Sequence, residues 1–314
     1  MKSVWSSILK KRQIALLSAL AIGIPAIAST NASAAAGTDV MEPAIPKQPI
    51  TVQQADPAIA ALVPAEIAKT GKLRVATVAT FPPNEFKDPD GNSVGVHIDM
   101  GRALGQLMGV KVDFILTTFD GIIPGLKAKR YDMAMGSAAI TKARLGVVDF
   151  VSDLKDGTMF MVAEGDKAVF KSDLDLCGRT LGVAKGSSQV ALADEVAGKC
   201  KSAGKSELVV RTYPSQLESA LALSSGRINT IIGVGEPLQY IAHGNPGKFR
   251  VTGQDVFPAD IEGNMVPKGS ALSKALVAAQ NKLIENGTYK EILDKWGVAS
   301  AAIAKSEINP QPRR

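Results

Sequence analysis

The sequence predicts an α/β protein in two lobes, each a sheet of strands alternating with helices, joined by a hinge of two extended crossings. Three observations carry this. From Leu73 the apolar pattern alternates between short β-branched runs and helical spacing. A second series of the same kind begins at Leu181. And 314 residues exceed what one hydrophobic core comfortably holds, which favours two domains.

In chain order, residues 35–57 are rich in Ala, Pro and polar residues and read as a flexible lead-in. Ile59, Leu62 and Ile67 have helical spacing, with Gly71 as a stop, so a short helix is expected over 57–70. Strands follow over 73–78, 111–116, 131–135 and 158–162, with helices near 99–108, 121–129 and 141–147. This βαβ order implies a mostly parallel sheet with helices on its faces. The second series reads strand 181–184, helix 190–197, strand 208–211, helix 215–224 and strand 230–233. An amphipathic helix beyond Leu272 and another over 288–296 close the chain, and the tail after Val298 is expected to be loose. The crossings are placed near 161–164 and 264–267. Lobe 1 then comprises 71–162 plus 265–314, and lobe 2 comprises 163–264.

The first 34 residues read as a targeting segment. Lys2, Lys10, Lys11 and Arg12 form a basic start, residues 14–28 an apolar stretch broken by Gly23 and Pro25, and Ala32-Ser33-Ala34 a small-residue cleavage site. The apolar stretch is shorter than the roughly 20 residues of a membrane helix. A cleaved signal peptide and an exported, periplasmic protein follow. The formal net charge of +6 includes those four cations and no acid from the segment, so +2 remains without it. No dense basic patch is left, which argues against a nucleic-acid partner. Two cysteines, Cys177 and Cys200, in an exported chain read as a disulfide. His97 and His243 lie far from them in sequence, so neither a metal site nor an activated thiol is indicated, and no cofactor is implied.

The motif richest in chemistry runs from Tyr131 to Arg144: a short buried strand, a tight Gly136-Ser137 turn, and a helix opening at Thr141 as N-cap. Small residues in such a turn admit a ligand to backbone N–H groups. Arg144, one turn into the helix, reaches back over it with a fork suited to a carboxylate. Gly186-Ser187-Ser188-Gln189 likewise follows a strand and opens a helix, where free N–H groups and the helix dipole favour an anion.

Taken together with the strand running into Phe81-Pro82-Pro83-Asn84-Glu85-Phe86, the helix ending at Gly109, the Phe119-Asp120-Gly121 helix start, Val148-Asp149-Phe150, Asn286-Gly287-Thr288-Tyr289 and Lys295-Trp296-Gly297, this order resembles the periplasmic solute-binding proteins of amino-acid ABC importers. The resemblance runs from Gly71 to the C-terminus. It implies the two-lobed periplasmic-binding-protein fold, a ligand between the lobes, hinge closure, a monomer, and transient docking on a membrane permease. Phe81 matches the aromatic that covers the bound amino acid, in the loop that also carries Asn84, and Phe119 matches a second apolar wall. Gly136, Ser137 and Ala138 match the turn that holds the ammonium and carboxylate, and Thr141 keeps a family hydroxyl. Arg144 with Ser187 and Ser188 matches the carboxylate site. Ala139 departs from the usual hydroxyl residue. Val78 stands where members that bind basic amino acids have an acid, which implies a neutral or acidic ligand side chain. The family's ammonium-binding Asp falls at Val234 or Gly235, with Glu236 next, so Glu236 is assigned that charge. Without it, the ligand is a carboxylate lacking an α-amine. An exported dehydratase-like enzyme on the same scaffold would need a paired acid in the cleft; Glu85 and Glu236 are the candidates, and no pair is evident. A reporter for a membrane sensor would share the same lobes.

Overall fold

The computed structural model describes residues 45–312, so the signal-peptide reading of 1–34 and the first part of the lead-in lie outside the described residues. From residue 45 to 56 the chain has no regular structure, yet it is tied to lobe 1 rather than free. Ile45 and Ile50 pack on its core. The Gln53 side chain donates to Thr288 Oγ1 at 3.0 Å and accepts from the Asn286 amide at 2.7 Å, and the Asp56 N–H reaches the Leu107 carbonyl at 3.0 Å. The expected single helix over 57–70 is two: α1 (Pro57–Ala60), capped by Asp56, and α2 (Ala65–Thr70), ended by Gly71. Pro64 lacks the N–H a continuous helix needs and turns Val63 away from helical geometry.

Lobe 1 then lays down β1 (Lys72–Thr77), a small antiparallel meander of β2 (Thr80–Phe81), β3 (Glu85–Lys87) and β4 (Ser93–Val94), then α3 (Val96–Met108), β5 (Lys111–Leu116), α4 (Ile122–Lys127), β6 (Met133–Ala134), α5 (Lys142–Leu145) and β7 (Val148–Asp156). Lobe 2 contains β8 (Thr158–Ala163), β9 (Thr180–Ala184), α6 (Ser188–Ser202), β10 (Val209–Tyr213), α7 (Gln216–Ser224), β11 (Thr230–Val234), α8 (Gly235–His243) and β12 (Phe249–Thr252). The chain returns to lobe 1 through β13 (Asp260–Pro267), followed by α9 (Leu272–Glu285) and α10 (Thr288–Lys295).

The two sheets have matching plans: β5-β1-β6-β13-β7 and β10-β9-β11-β8-β12. Three strands run parallel in each, and two antiparallel strands complete it. The expected mostly parallel sheet is thus only its βαβ half. The crossings also lie elsewhere than expected. Gly157 alone separates β7 from β8, and the return runs between Thr252 and Asp260. Residues 161–164 lie in and just beyond β8, and 264–267 lie within β13. Residues 148–163 are strand but for the single residue Gly157, the only break between the two strands.

Helices cover both faces of each sheet. In lobe 1, α3, α9 and α10 pack on one face, through residues such as Leu104, Leu276 and Ile292, and α4 on the other through Ile122 and Leu126. In lobe 2, Leu192 and Val196 of α6 fill one face, and Ala220 and Leu223 of α7 with Leu238 of α8 fill the other. Each buried Leu, Ile or Val among them contributes up to about 1.5–3 kcal/mol. Cys177 and Cys200 are disulfide-bonded, joining the loop before β9 to α6 across a sequence separation of 23. The tail is not loose: the Asn309 N–H bonds the Phe150 carbonyl at 2.9 Å, and Ser306 is fully buried against β7. Among the described residues, no helix is long and apolar enough to cross a membrane.

Candidate functional site

The parallel strands of both lobes end at the same interlobe cleft, where an open α/β sheet presents loops and helix N-termini. A cavity of about 280 Å³ lies there. Lobe 1 lines it with Val78, Thr80 and Phe81 after β1, Thr117, Thr118 and Phe119 after β5, and Ser137 after β6. Lobe 2 contributes Ala184 after β9 and Pro214, Ser215, Gln216 and Glu218 at the start of α7.

Asn84 and Glu85 form the polar wall behind Ser137. The Asn84 amide is fully buried and donates to Ser137 Oγ at 2.6 Å and to Glu236 Oε2, across the cleft, at 3.4 Å. Asn84 Oδ1 is buried without a hydrogen-bond partner. The loop is held by the start of α3: the His97 N–H bonds the Asn84 carbonyl at 3.0 Å. Gly95, with φ of +129°, permits this contact, because a Cβ there would lie 2.3 Å from the Asn84 carbonyl oxygen. Glu85 accepts from the Ser137 N–H, and its Oε2 lies 2.7 Å from Nδ1 of His97. Burial raises the Glu85 carboxyl above its ordinary range, although His97 and the Ser137 N–H oppose it. Burial pushes the His97 ring the other way. Glu85 and Asp153, the latter 3.5 Å from Nε2, outweigh it and hold the ring's proton well above the usual histidine range.

Arg144 stands at the other end of the site. Thr141 caps α5, accepting from the Arg144 N–H at 3.2 Å, which fixes the arginine's place on the helix. The guanidinium lies over the Phe119 ring, 5.3 Å from its centroid. Nη1 donates to the Ala139 carbonyl at 2.7 Å, and Nη2 spans the lobes to the Gly186 carbonyl at 3.0 Å. Burial lowers its pKa to about 10, against the pull of Glu262, so it remains cationic at neutral pH. Gly186 is in the left-handed region, φ +79°, and a Cβ there would come within 3.0 Å of Asp120 Cβ in the facing lobe. Beside it, Lys185 pairs with Asp120 at 2.8 Å. Ser187 stands at the N-cap of α6, and its Oγ is buried with no hydrogen-bond partner.

Of the residues singled out from the sequence, Phe81, Phe119 and Ser137 line the cavity. Asn84 and Glu236 meet behind Ser137. Arg144 meets the Gly186-Ser187-Ser188 turn. Thr141 serves as the helix cap, Gly136 belongs to the turn, and Ala138 is buried in the lobe 1 core. Pro214, Ser215, Gln216 and Glu218 escaped the sequence reading. The signal for them was a strand ending in a Pro-Ser helix start, the same pattern that marked Gly186-Ser187.

Two α/β lobes closing on a cavity of aromatic, hydroxyl and charged groups define a solute-binding protein. The chain belongs to the bacterial extracellular solute-binding proteins, family 3, whose model matches residues 73–299. It is 29% identical over 259 residues to an arginine-binding protein of Corynebacterium glutamicum, covering 82% of this chain and 84% of that one. It is 31% identical over 231 residues to an L-arginine-binding protein of Pseudomonas aeruginosa, covering 71% and 87%. Among solved structures, an ancestral arginine-binding protein bound to glutamine superposes with a TM-score of 0.66 at 32% identity, over 73% of this chain and 98% of that one.

Proposed function

We propose that this protein is exported to the periplasm, binds an α-amino acid between its lobes, and presents it to an ABC permease. The observation that carries the reading is a pair of buried, unpartnered polar atoms, one in each half of the site: Oδ1 of Asn84, whose amide nitrogen meets Glu236, and Ser187 Oγ on the turn that Arg144 reaches. Buried polar atoms are rarely left without partners in native proteins. An acceptor beside a carboxylate suits an ammonium. A hydroxyl on a helix N-terminus near a guanidinium suits a carboxylate. An α-amino acid carries both groups, with Phe81 and Phe119 as walls for its side chain.

The side-chain preference rests on the cavity lining, which includes Glu85 and Glu218 and no Lys, Arg or His. That balance disfavours an acidic side chain. The acid missing at Val78 has a counterpart in Glu218, which approaches from the opposite lobe. The ligand class proposed is therefore neutral-polar or cationic, and the names of the arginine-binding relatives weigh the same way. The test is a thermal-shift screen of all common amino acids and their deaminated analogues. At 100 times its dissociation constant a ligand adds about 2.7 kcal/mol. L-Arginine or L-glutamine is expected to raise Tm and the deaminated acids to leave it unchanged. No shift with any amino acid would overturn the reading.

A further inference from the structure

Glu85, His97 and Asp153 form a line of charge from the cavity floor into lobe 1. Glu85 lines the cavity with only 1% of its surface exposed, and His97 and Asp153 are fully buried. They come from three different elements: β3, α3 and β7. The ring stands between the acids, 2.7 Å from Glu85 Oε2 and 3.5 Å from Asp153 Oδ2. The Asp153 contact is an ion pair rather than a hydrogen bond, and Glu236 of the facing lobe meets the neighbouring Asn84 amide at 3.4 Å. Tyr289 of α10 donates to the Asp153 backbone carbonyl at 2.8 Å. Asp99, two residues along α3, binds Lys295 at 2.8 Å and the Trp296 indole at 2.9 Å.

One imidazolium cannot neutralise two carboxylates. With all three groups ionised the line carries one net negative charge, which is costly away from water. Two things relieve it: a proton on Glu85, or a cation in the cavity that Glu85 lines. Glu85 is the member with access to that cavity, and burial already favours its protonated form.

We propose that His97 is a positioning residue for ligand recognition: anchored by Asp153, it holds the Glu85 carboxyl in the cavity floor, so that a cationic ligand group takes the place of a proton on Glu85. This rests on the amino-acid reading above. Binding then releases one proton to the buffer as the ammonium or side-chain cation moves in. The sign follows by linkage: affinity rises with pH, by up to about tenfold per pH unit while a whole proton is released. It levels off once Glu85 is ionised in the free protein.

The experiment is titration calorimetry of the wild-type mature protein with L-arginine between about pH 5 and pH 8, at each pH in two buffers of unlike ionisation enthalpy that both buffer there. Enthalpies that differ between the buffers and an affinity that climbs with pH are expected. E85Q is expected to bind arginine more weakly at the alkaline end and to lose the slope. H97Q is expected to move the levelling-off point to higher pH, which a merely structural histidine would not do. Buffer-independent enthalpy with a flat affinity in the wild type overturns the proposal while leaving the amino-acid reading intact. A second arm needs no ligand. The chain has two histidines, so NMR of the imidazole nitrogens, assigned with H243Q, reports His97 directly. Its ring is expected to hold its proton well past the ordinary histidine range, less so in E85Q, and ordinary titration overturns the proposal. If no amino acid binds, the functional reading fails and this arm alone decides the charge line.

Discussion

Arg144 keeps its charge at a site only 9% exposed because Glu262 attracts it and its guanidinium meets two carbonyls at 2.7 and 3.0 Å and the face of Phe119. Its fork has five N–H donors, so donors remain for a carboxylate. Arg144→Ala is expected to cost about 2–5 kcal/mol of ligand binding with the fold retained; calorimetry showing near-normal affinity for arginine contradicts the assignment. Glu218 is exposed at the cavity's edge, so its effect is that of a screened charge, about 1 kcal/mol or less. Glu218→Gln is therefore expected to weaken arginine severalfold and glutamine hardly at all, and equal losses for both would remove it from side-chain selection. His97 makes a pH-dependent contribution to stability as well. Its folded-state value is raised, so that stability is fully present below the ordinary histidine range and fades as pH rises through the raised value. The gap in urea stability between wild type and His97→Gln is expected to narrow on going alkaline. At this scale the sequence was legible where chemistry is local. Ser137 and Phe119 sit in turns whose residue types betray them, and Arg144 sits in the helix that Thr141 caps. His97 and Glu218 were not, because their partners come from β3, β7 and the facing lobe and no local pattern marks them.

The elements legible from periodicity were the long ones, such as α3, α6 and α9, whose apolar stripes dictate a buried face. Those missed depend on pairing. The meander β2-β3-β4 looked like a proline-stiffened loop, and both ends of the described chain looked loose because their anchors are hydrogen bonds to distant residues. The C-terminal tail illustrates the energetics. Asn309 Oδ1 accepts the Phe150 N–H at 2.8 Å, and its amide donates to Asp149 at 2.9 Å. Asn309→Ala leaves that N–H without its partner, at a cost of about 1–3 kcal/mol, measurable as a lower urea midpoint with ligand affinity unchanged; an unchanged midpoint would mean the tail is not held as described. The disulfide belongs to this scale too. Joining residues 23 apart, it removes about 3 kcal/mol of chain entropy from the unfolded state. The double variant Cys177→Ser/Cys200→Ser is expected to melt lower while still binding arginine, because the pair lies away from the cavity lining.

At the scale of the whole molecule, a length beyond one core and two βα series were enough to expect two lobes. The crossings were misplaced because β7 runs into β8 with only the single residue Gly157 between them, too short a break to read as a change of sheet. The lobes touch through Arg144 and Gly186, through Asn84 and Glu236, and through the Lys185–Asp120 ion pair. The ion pair is well exposed, with Lys185 66% and Asp120 36% open to solvent, so Asp120→Asn is expected to change equilibrium affinity by less than about fivefold. A larger loss in calorimetry would make that pair a true clasp. Lobe 2 leaves at Asp156 and returns at Asp260, and these two positions are paired on adjacent strands of lobe 1. A tension applied to the two ends of the described chain therefore crosses from β7 to β13 through that ladder and never enters lobe 2. In a single-molecule pulling experiment lobe 1 is expected to yield first, releasing lobe 2 to bear load only afterwards, as a separate and later extension.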